Sequence, residues 1–261
     1  MTQLVEIQGE VLAAQLFEPV GKKKADVVLV HGFTGSKEDF SEIAPLIAES
    51  GFRVLTFDNR GQNDSSHSKR SDGYSMPSLG LDVIEIANHF QLENPHLLGH
   101  SFGGLIAQQA VTIKPGQWAS LTLMCSGPGG RSSWLDDPQF QNLNNETKAE
   151  IWEKILEKDR LGNVKFDLWK KRWLASDADS TMIYRDHLIR QPSLISEIAK
   201  LGIRSHVIYG ENDDAWPLKD QDEMANQLRA KLTILPNCGH CPNEENPELL
   251  SRELIAFWNQ N

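Results

Sequence analysis

The sequence predicts an α/β fold, a mostly parallel sheet of about eight strands with helices on both faces. Three observations predict it. Short apolar runs rich in β-branched residues alternate along the chain with amphipathic stretches at helical spacing, the order that builds a parallel sheet covered on both sides. Val27-Val28-Leu29-Val30 is apolar without alternation, as in a strand buried on both faces. Finally, Leu97-Leu98-Gly99-His100-Ser101-Phe102-Gly103-Gly104 joins an apolar strand end to the helix-forming run Leu105 to Ala110 through a Gly-x-Ser-x-Gly turn.

The remaining elements follow from period and punctuation. Leu4 to Phe17 alternates imperfectly and reads as two short strands turning at Gly9-Glu10. Lys22-Lys23-Lys24 is a solvated turn. After the third strand, ending at Val30, comes His31-Gly32-Phe33-Thr34-Gly35. Ile43 to Ser50 is helical and stops at Gly51. Arg53 to Phe57 is the fourth strand, followed by Asp58-Asn59-Arg60-Gly61. Gln62 to Pro77 is rich in Ser, Asp and Lys and reads as an exposed loop. Leu79 to Phe90 carries apolar residues at helical spacing, and His96 to Gly99 leads into the Ser101 turn. Leu121 to Cys125 is the sixth strand, broken by Ser126-Gly127-Pro128-Gly129-Gly130. Ser205 to Tyr209 and Leu232 to Leu235 are the last two strands. Leu218 to Leu228, with Pro217 ahead of it, and Pro247 to Trp258 are helices.

Between about Arg131 and Gln191 the texture changes. No strand-like run occurs, and Trp134, Trp152, Trp169 and Trp173 sit among charged residues. Ile151, Ile155 and Leu156 share a helical face, as do Leu168, Trp169, Trp173 and Leu174. The expectation is a helical lid, residues 131–191, inserted after the sixth strand into a core made of 1–130 and 192–261. Packing of amphipathic helices accounts for most of these tryptophans, since aromatic side chains contribute so much buried area.

Composition narrows the function classes. The chain has 261 residues, 39% hydrophobic and 24% charged, enough for a substantial core in one domain. Its 26 basic and 36 acidic residues give a formal charge of −10, which argues against nucleic acid or an anionic membrane as partner. No apolar run is long enough to span a bilayer. Met1-Thr2-Gln3-Leu4-Val5-Glu6 lacks the basic start and apolar stretch of a signal peptide, so a cytoplasmic location is expected. Three cysteines, Cys125, Cys238 and Cys241, make no disulfide framework. Oligomeric state is not legible.

Ser101 carries the chemistry if there is any. The turn strains its backbone and lifts its hydroxyl to a helix N-terminus, and Gly99 and Gly103 leave the room this needs. A serine hydroxyl attacks at neutral pH only with an imidazole beside it, and the imidazole needs a carboxylate on its other nitrogen. Candidates occur in the order Ser, Asp, His, each just past the carboxyl end of a predicted strand, where an open α/β sheet places its site.

His31-Gly32-Phe33, Asp58-Asn59-Arg60-Gly61, Gly99-His100-Ser101-Phe102-Gly103-Gly104, Gly210-Glu211-Asn212-Asp213 with Pro217, and Gly239-His240 together resemble the α/β-hydrolase fold with a lid, over essentially the whole chain. The resemblance implies Ser101 as nucleophile, Asp213 as orienting acid and His240 as base. It implies oxyanion donors from the backbone N–H groups of Phe33 and Phe102. No cofactor is expected, and a zinc site of Cys238, Cys241 and His240 is disfavoured because no second cysteine pair is present. Where relatives often carry a second glycine after Gly61, this chain has Asn63, which bears on the shape of that loop. Asp214 competes with Asp213 as the acid, though the Gly-x-x-Asp spacing and Pro217 favour Asp213. In some relatives the acid follows the sixth strand, where this chain has Ser126-Gly127. His31 is expected to brace the oxyanion loop. His100, Trp134 and Trp216 are candidate substrate contacts.

Two rival readings remain. Cys238-Gly239-His240-Cys241 matches a thiol-oxidoreductase motif, but it follows the last strand instead of opening a helix in a small domain. A disulfide there would adjoin the base. The reading favoured is a serine hydrolase acting on a small or medium carboxylic ester. Carbon–carbon hydrolase, lactonase, perhydrolase and aminopeptidase chemistry remain open on the same residues. A ligand-binding or signalling protein with a slow vestigial site is the alternative of another class, since fold does not choose function.

Overall fold

A computed structural model describes residues 1–130, 143–157 and 165–260. Eight strands form a single sheet: β1 (Gln3–Ile7), β2 (Glu10–Phe17), β3 (Ala25–Val30), β4 (Phe52–Phe57), β5 (His96–His100), β6 (Ser120–Met124), β7 (Ser205–Gly210) and β8 (Lys231–Leu235). Their spatial order is β1-β2-β4-β3-β5-β6-β7-β8. The pairs β1–β2 and β2–β4 are antiparallel, and every pair from β4 onward is parallel.

The parallel register decides where the site lies. Val30 pairs with Gly99, His100 with Met124, Met124 with Ile208 through its own strand, and Gly210 with Leu235. The carboxyl ends of β3 and β5 to β8 are therefore level, and the loops leaving them share one rim. The strand order turns back at β3, whose neighbours are β4 and β5, so the topological switch point of the sheet lies between β3 and β5.

Helices α1 (Ile43–Glu49), α2 (Met76–His89), α3 (Phe102–Ile113), α7 (Ile195–Leu201), α8 (Leu218–Leu228) and α10 (Pro247–Trp258) cover the sheet. α2, α3, α7 and α8 pack in succession as one layer, and α1 packs with α10 as the other. β5, β6 and β7 are buried along their whole length, as a strand covered on both faces must be. The bounds of α8 and α10 coincide with the sequence reading, each helix being preceded or opened by proline. The helix α7 has no counterpart in that reading; it is short, seven residues, and ends on the left-handed Gly202.

The described part of the stretch between β6 and β7 is helical: α4 (Lys148–Ile151), a π-helical turn (Trp152–Leu156), α5 (Phe166–Ala175) and α6 (Ala178–Arg190). Leu143, Ile151, Trp152, Trp173 and Ala178 form a small apolar cluster of their own, with Trp169 packed against it. Leu174, expected on the buried face, is exposed instead. Trp134 lies outside the described residues. α6 joins the main core through Tyr184 and Leu188. The carbonyls of the β4–α2 loop hold it there: Tyr184 donates to Arg60 O at 2.5 Å, and the Asp177 N–H and Ser180 hydroxyl donate to Gly61 O.

Two expectations need correction. The first turn is Gln8-Gly9, and Glu10 is a buried strand residue. The stretch Gln62 to Pro77 is not simply exposed. Gln62, Asn63, Ser65, Tyr74 and Met76 are buried, and α2 begins at Met76 behind the cap Ser75. Polar groups of the stretch find partners within the fold: Asp58 accepts from the Lys37 ammonium at 2.8 Å and from the Asn63 amide at 3.0 Å, and the Ser65 hydroxyl donates to Asp58 O. Asn63 takes φ 47°, the left-handed conformation that glycine favours and asparagine tolerates.

Burial of neutral imidazoles ties stability to pH. His96 and His100 are pushed down to about 4, and His206 to about 3, burial being the main cause in each. In the unfolded chain they titrate near 6.5, so below that pH the unfolded state binds more protons and stability falls as pH drops toward 4. Urea unfolding at a series of pH values is expected to show this loss, on the order of 1–3 kcal/mol per histidine. His206→Gln should flatten the slope by one proton.

Candidate active site

Ser101 links β5 to α3 with φ 53° and ψ −119°, a strained conformation for a residue with a side chain. Backbone contacts hold it. A Cβ on Gly99 would lie 2.2 Å from Gly103 O, and one on Gly103 would lie 2.2 Å from Val30 O, so only glycine lets these segments approach. The Ser101 N–H donates to Met124 O at 2.9 Å, and Ser101 O accepts from the Ser126 hydroxyl at 2.8 Å. Phe102 is the first residue of α3, so its N–H has no partner within the helix and faces the same end as Ser101. The Phe102 ring is buried and packs against Tyr184 with centroids 5.0 Å apart.

The loop after β3 passes beside the serine. A Cβ on Gly32 would lie 3.1 Å from Ser101 Cβ, and Phe33 follows, half-buried against the core. His31 braces this loop as expected. Its Nδ1–H donates to Gly32 O at 2.9 Å and its Nε2 accepts the Asn59 N–H at 2.9 Å, which requires a neutral ring. Burial pushes the His31 pKa down, in keeping with that tautomer. Beneath the loop, Asp39 is paired with Arg172 of α5, and the Asn243 amide donates to Asp39 O at 2.7 Å.

Asp213 and His240 are hydrogen bonded, Nδ1 to Oδ1, at 2.9 Å. Their loops are stitched together: Glu211 N–H donates to Leu235 O, Asn212 N–H to Cys238 O, and a Cβ on Gly210 would lie 2.2 Å from Gly239 O. The Asp213 carboxylate also accepts from the Ala215 N–H at 3.0 Å, the Trp216 N–H at 3.4 Å and the Gln221 amide at 2.9 Å. Burial alone would raise its pKa. The His240 hydrogen bond and charge, with the Gln221 and Ala215 donors, outweigh that and hold it below the usual carboxylate value. Asp214 is exposed, so of the two candidates it is Asp213 that meets the imidazole.

His100 is buried beside both loops. Its Nε2–H donates to His240 O at 2.8 Å, with ring centroids 5.0 Å apart, so it ties the residue before the serine to the histidine loop. Trp216 is buried in the main core with its ring against Gly127. Cys125, Cys238 and Cys241 are free thiols. Cys125 was not singled out from sequence as a site residue, yet its position just past β6 puts it on the same rim. Donor atoms of Cys125, Asp213 and His240 lie within 4.8 Å of one another. Burial pushes the Cys125 thiol pKa up, and the Asp213 carboxylate already accepts from Gln221 and is bonded to His240.

The α/β-hydrolase family model, described as the alpha/beta hydrolase fold, matches residues 27–247. The chain belongs to this family. The α/β hydrolase is 23% identical over 240 residues to a 2-succinyl-6-hydroxy-2,4-cyclohexadiene-1-carboxylate synthase of Enterobacter sp. (strain 638), spanning 85% of this chain and 86% of that protein. Among solved structures it resembles the enol-lactonase from Burkholderia xenovorans LB400, with a TM-score of 0.84 at 17% identity over 99% of this chain and 100% of the other. It also resembles an esterase from Thermogutta terrifontis, with a TM-score of 0.82 at 18% identity over 99% and 98% of the two chains. Those two likenesses are of fold. Among the described residues of this α/β hydrolase, no helix is long and apolar enough to cross a membrane.

Gly99→Ala tests the packing that holds the Ser101 turn. The clash is with backbone that cannot rotate away, so the expected loss is about 3 kcal/mol or more, read as a lowered Tm.

Proposed function

We propose that this α/β hydrolase is a serine hydrolase of a small or medium carboxylic ester, using Ser101, His240 and Asp213. The observation that carries the reading is the Asp213–His240 hydrogen bond. Its carboxylate is locked by three further donors, so Nδ1 is committed to Asp213 and Nε2 is left for proton transfer. The strained turn at Ser101, on the same rim, supplies the nucleophile.

In this mechanism Ser101 Oγ bonds to the ester carbonyl carbon while its proton passes to His240 Nε2. The carbonyl π electrons move onto oxygen, where the N–H groups of Phe33 and Phe102 receive the charge, a contribution of about 3 kcal/mol per donor. Asp213 stabilises the imidazolium. The tetrahedral species collapses, the alcohol leaves with the proton from His240, and an acyl-serine remains. Water, deprotonated by His240, then releases the acid and restores Ser101. The helical segment within 131–191 is the lid in this reading, bound to the core by the Arg172–Asp39 pair and the α6 contacts.

Turnover of p-nitrophenyl esters of rising chain length, with lactones in the same panel, tests the reaction class, and a fluorophosphonate probe tests the nucleophile. Ser101→Ala should abolish both turnover and labelling while leaving the melting curve intact. Labelling without turnover on any substrate would favour the slow, ligand-binding alternative. Asp213→Asn is expected to lower kcat by about 10³- to 10⁴-fold, since the imidazole then loses its fixed tautomer. A loss of less than about tenfold would remove Asp213 from the mechanism.

A further inference from the structure

The short helix α9 (Pro242–Glu245) begins two residues after His240 and turns the chain back on itself. At its end, Glu245 reaches the histidine loop with both carboxylate oxygens. Oε2 accepts the Gly239 N–H, and Oε1 accepts the Cys241 N–H at 2.9 Å. These two N–H groups flank His240. On the other side of the same loop, the buried His100 Nε2–H holds His240 O at 2.8 Å. Inward anchoring is completed by Asn212 N–H on Cys238 O.

We propose that Glu245 is a positioning residue for His240, its carboxylate clasping the peptide on either side of the imidazole so that the ring meets Asp213 and the serine in one orientation. The role rests on His240 being the base. Only a carboxylate can do this: a bidentate, charge-assisted acceptor matches two N–H donors, whereas an amide offers one acceptor and turns its NH2 toward the second donor. Glu245 is itself exposed, so it supports no core packing. It also sits in the turn that faces the helical insertion. Its neighbour Glu244 pairs with Lys165 at 3.2 Å, and Asn243 holds Asp39, the partner of Arg172. The clasp therefore fixes the histidine loop from the surface while its neighbours meet the insertion.

The test compares Glu245→Ala, Glu245→Gln and Glu245→Asp with the unaltered chain. Each is measured for ester turnover and for the downfield proton resonance of the Asp213–His240 hydrogen bond. The clasp predicts kcat reduced about tenfold in the alanine and glutamine variants, KM within about twofold, and a broadened resonance, because a displaced base loses reaction geometry without losing substrate affinity. Aspartate keeps the charge but is one methylene short, so it should give an intermediate loss. Melting temperatures should change little. Unchanged kcat and resonance in all three variants would overturn the proposal. So would aspartate behaving as the unaltered chain while glutamine behaves as alanine, which would mark a field effect of the charge. The resonance is read without turnover, so it decides the clasp even if no ester is cleaved. Turnover retained in Ser101→Ala would count against the hydrolase reading alone.

Discussion

Glycine against backbone at the carboxyl rim is the constraint on which the rest of this molecule depends. Gly99 lies on Gly103, Gly103 lies on the end of β3, and Gly210 lies on Gly239. Each approach is closer than a side chain permits. The first two press the start of α3 into the sheet and hold Ser101 at a positive φ that an unsupported chain would relax. The third closes the gap between the loops after β7 and β8, which brings Asp213 to His240. Parallel pairing makes these contacts coincide, because the strands end level and their loops have only one rim to share.

Around that rim the polar groups are arranged in pairs that hold backbone as much as side chains. His31 joins the β3 and β4 loops, His100 joins the Ser101 turn to the His240 loop, and Asp213 gathers donors from its own turn and from α8. Buried neutral imidazoles suit this work, since each offers one donor and one acceptor with no charge to solvate. Charged pairs appear farther out. Lys37 is buried among Asp58, Asp64 and Glu38, and Arg60 is matched by Asp82 at 2.5 Å. Their desolvation is offset only because every pair is close, so removing one partner costs more than the pair contributes.

Much of the fold was legible because its signals are local. Apolar runs of β-branched residues mark β3, and prolines mark α8 and α10, since a strand buried on two faces and a helix start each impose rules on adjacent residues. The Ser101 turn was legible for the same reason, glycines two residues away on each side. The stretch from Gln62 to Pro77 was misread as exposed because polarity predicts solvent only when polar groups lack partners. Here the Asn63 amide donates to the Asp58 carboxylate, the Ser65 hydroxyl donates to Asp58 O, and Tyr74 donates to Asp177, more than a hundred positions away. Asp39–Arg172, the Cys125 thiol beside Asp213 and the Glu245 clasp were not singled out either. Their partners are distant in sequence or aimed at backbone, and neither leaves a pattern in the residues.

By itself the sequence determined the order of the strands and of the longer helices, the strained serine turn, and a short list of acids and histidines near strand ends. Short-range sterics and hydrophobic period are enough for that. Only the tertiary structure decided that Asp213 and not Asp214 meets His240, that His100 grips the histidine loop, and that Trp216 packs on Gly127. Each of these depends on which way a side chain faces once distant strands are paired. A one-residue change of direction at a loop reverses the outcome while leaving the local signals unchanged.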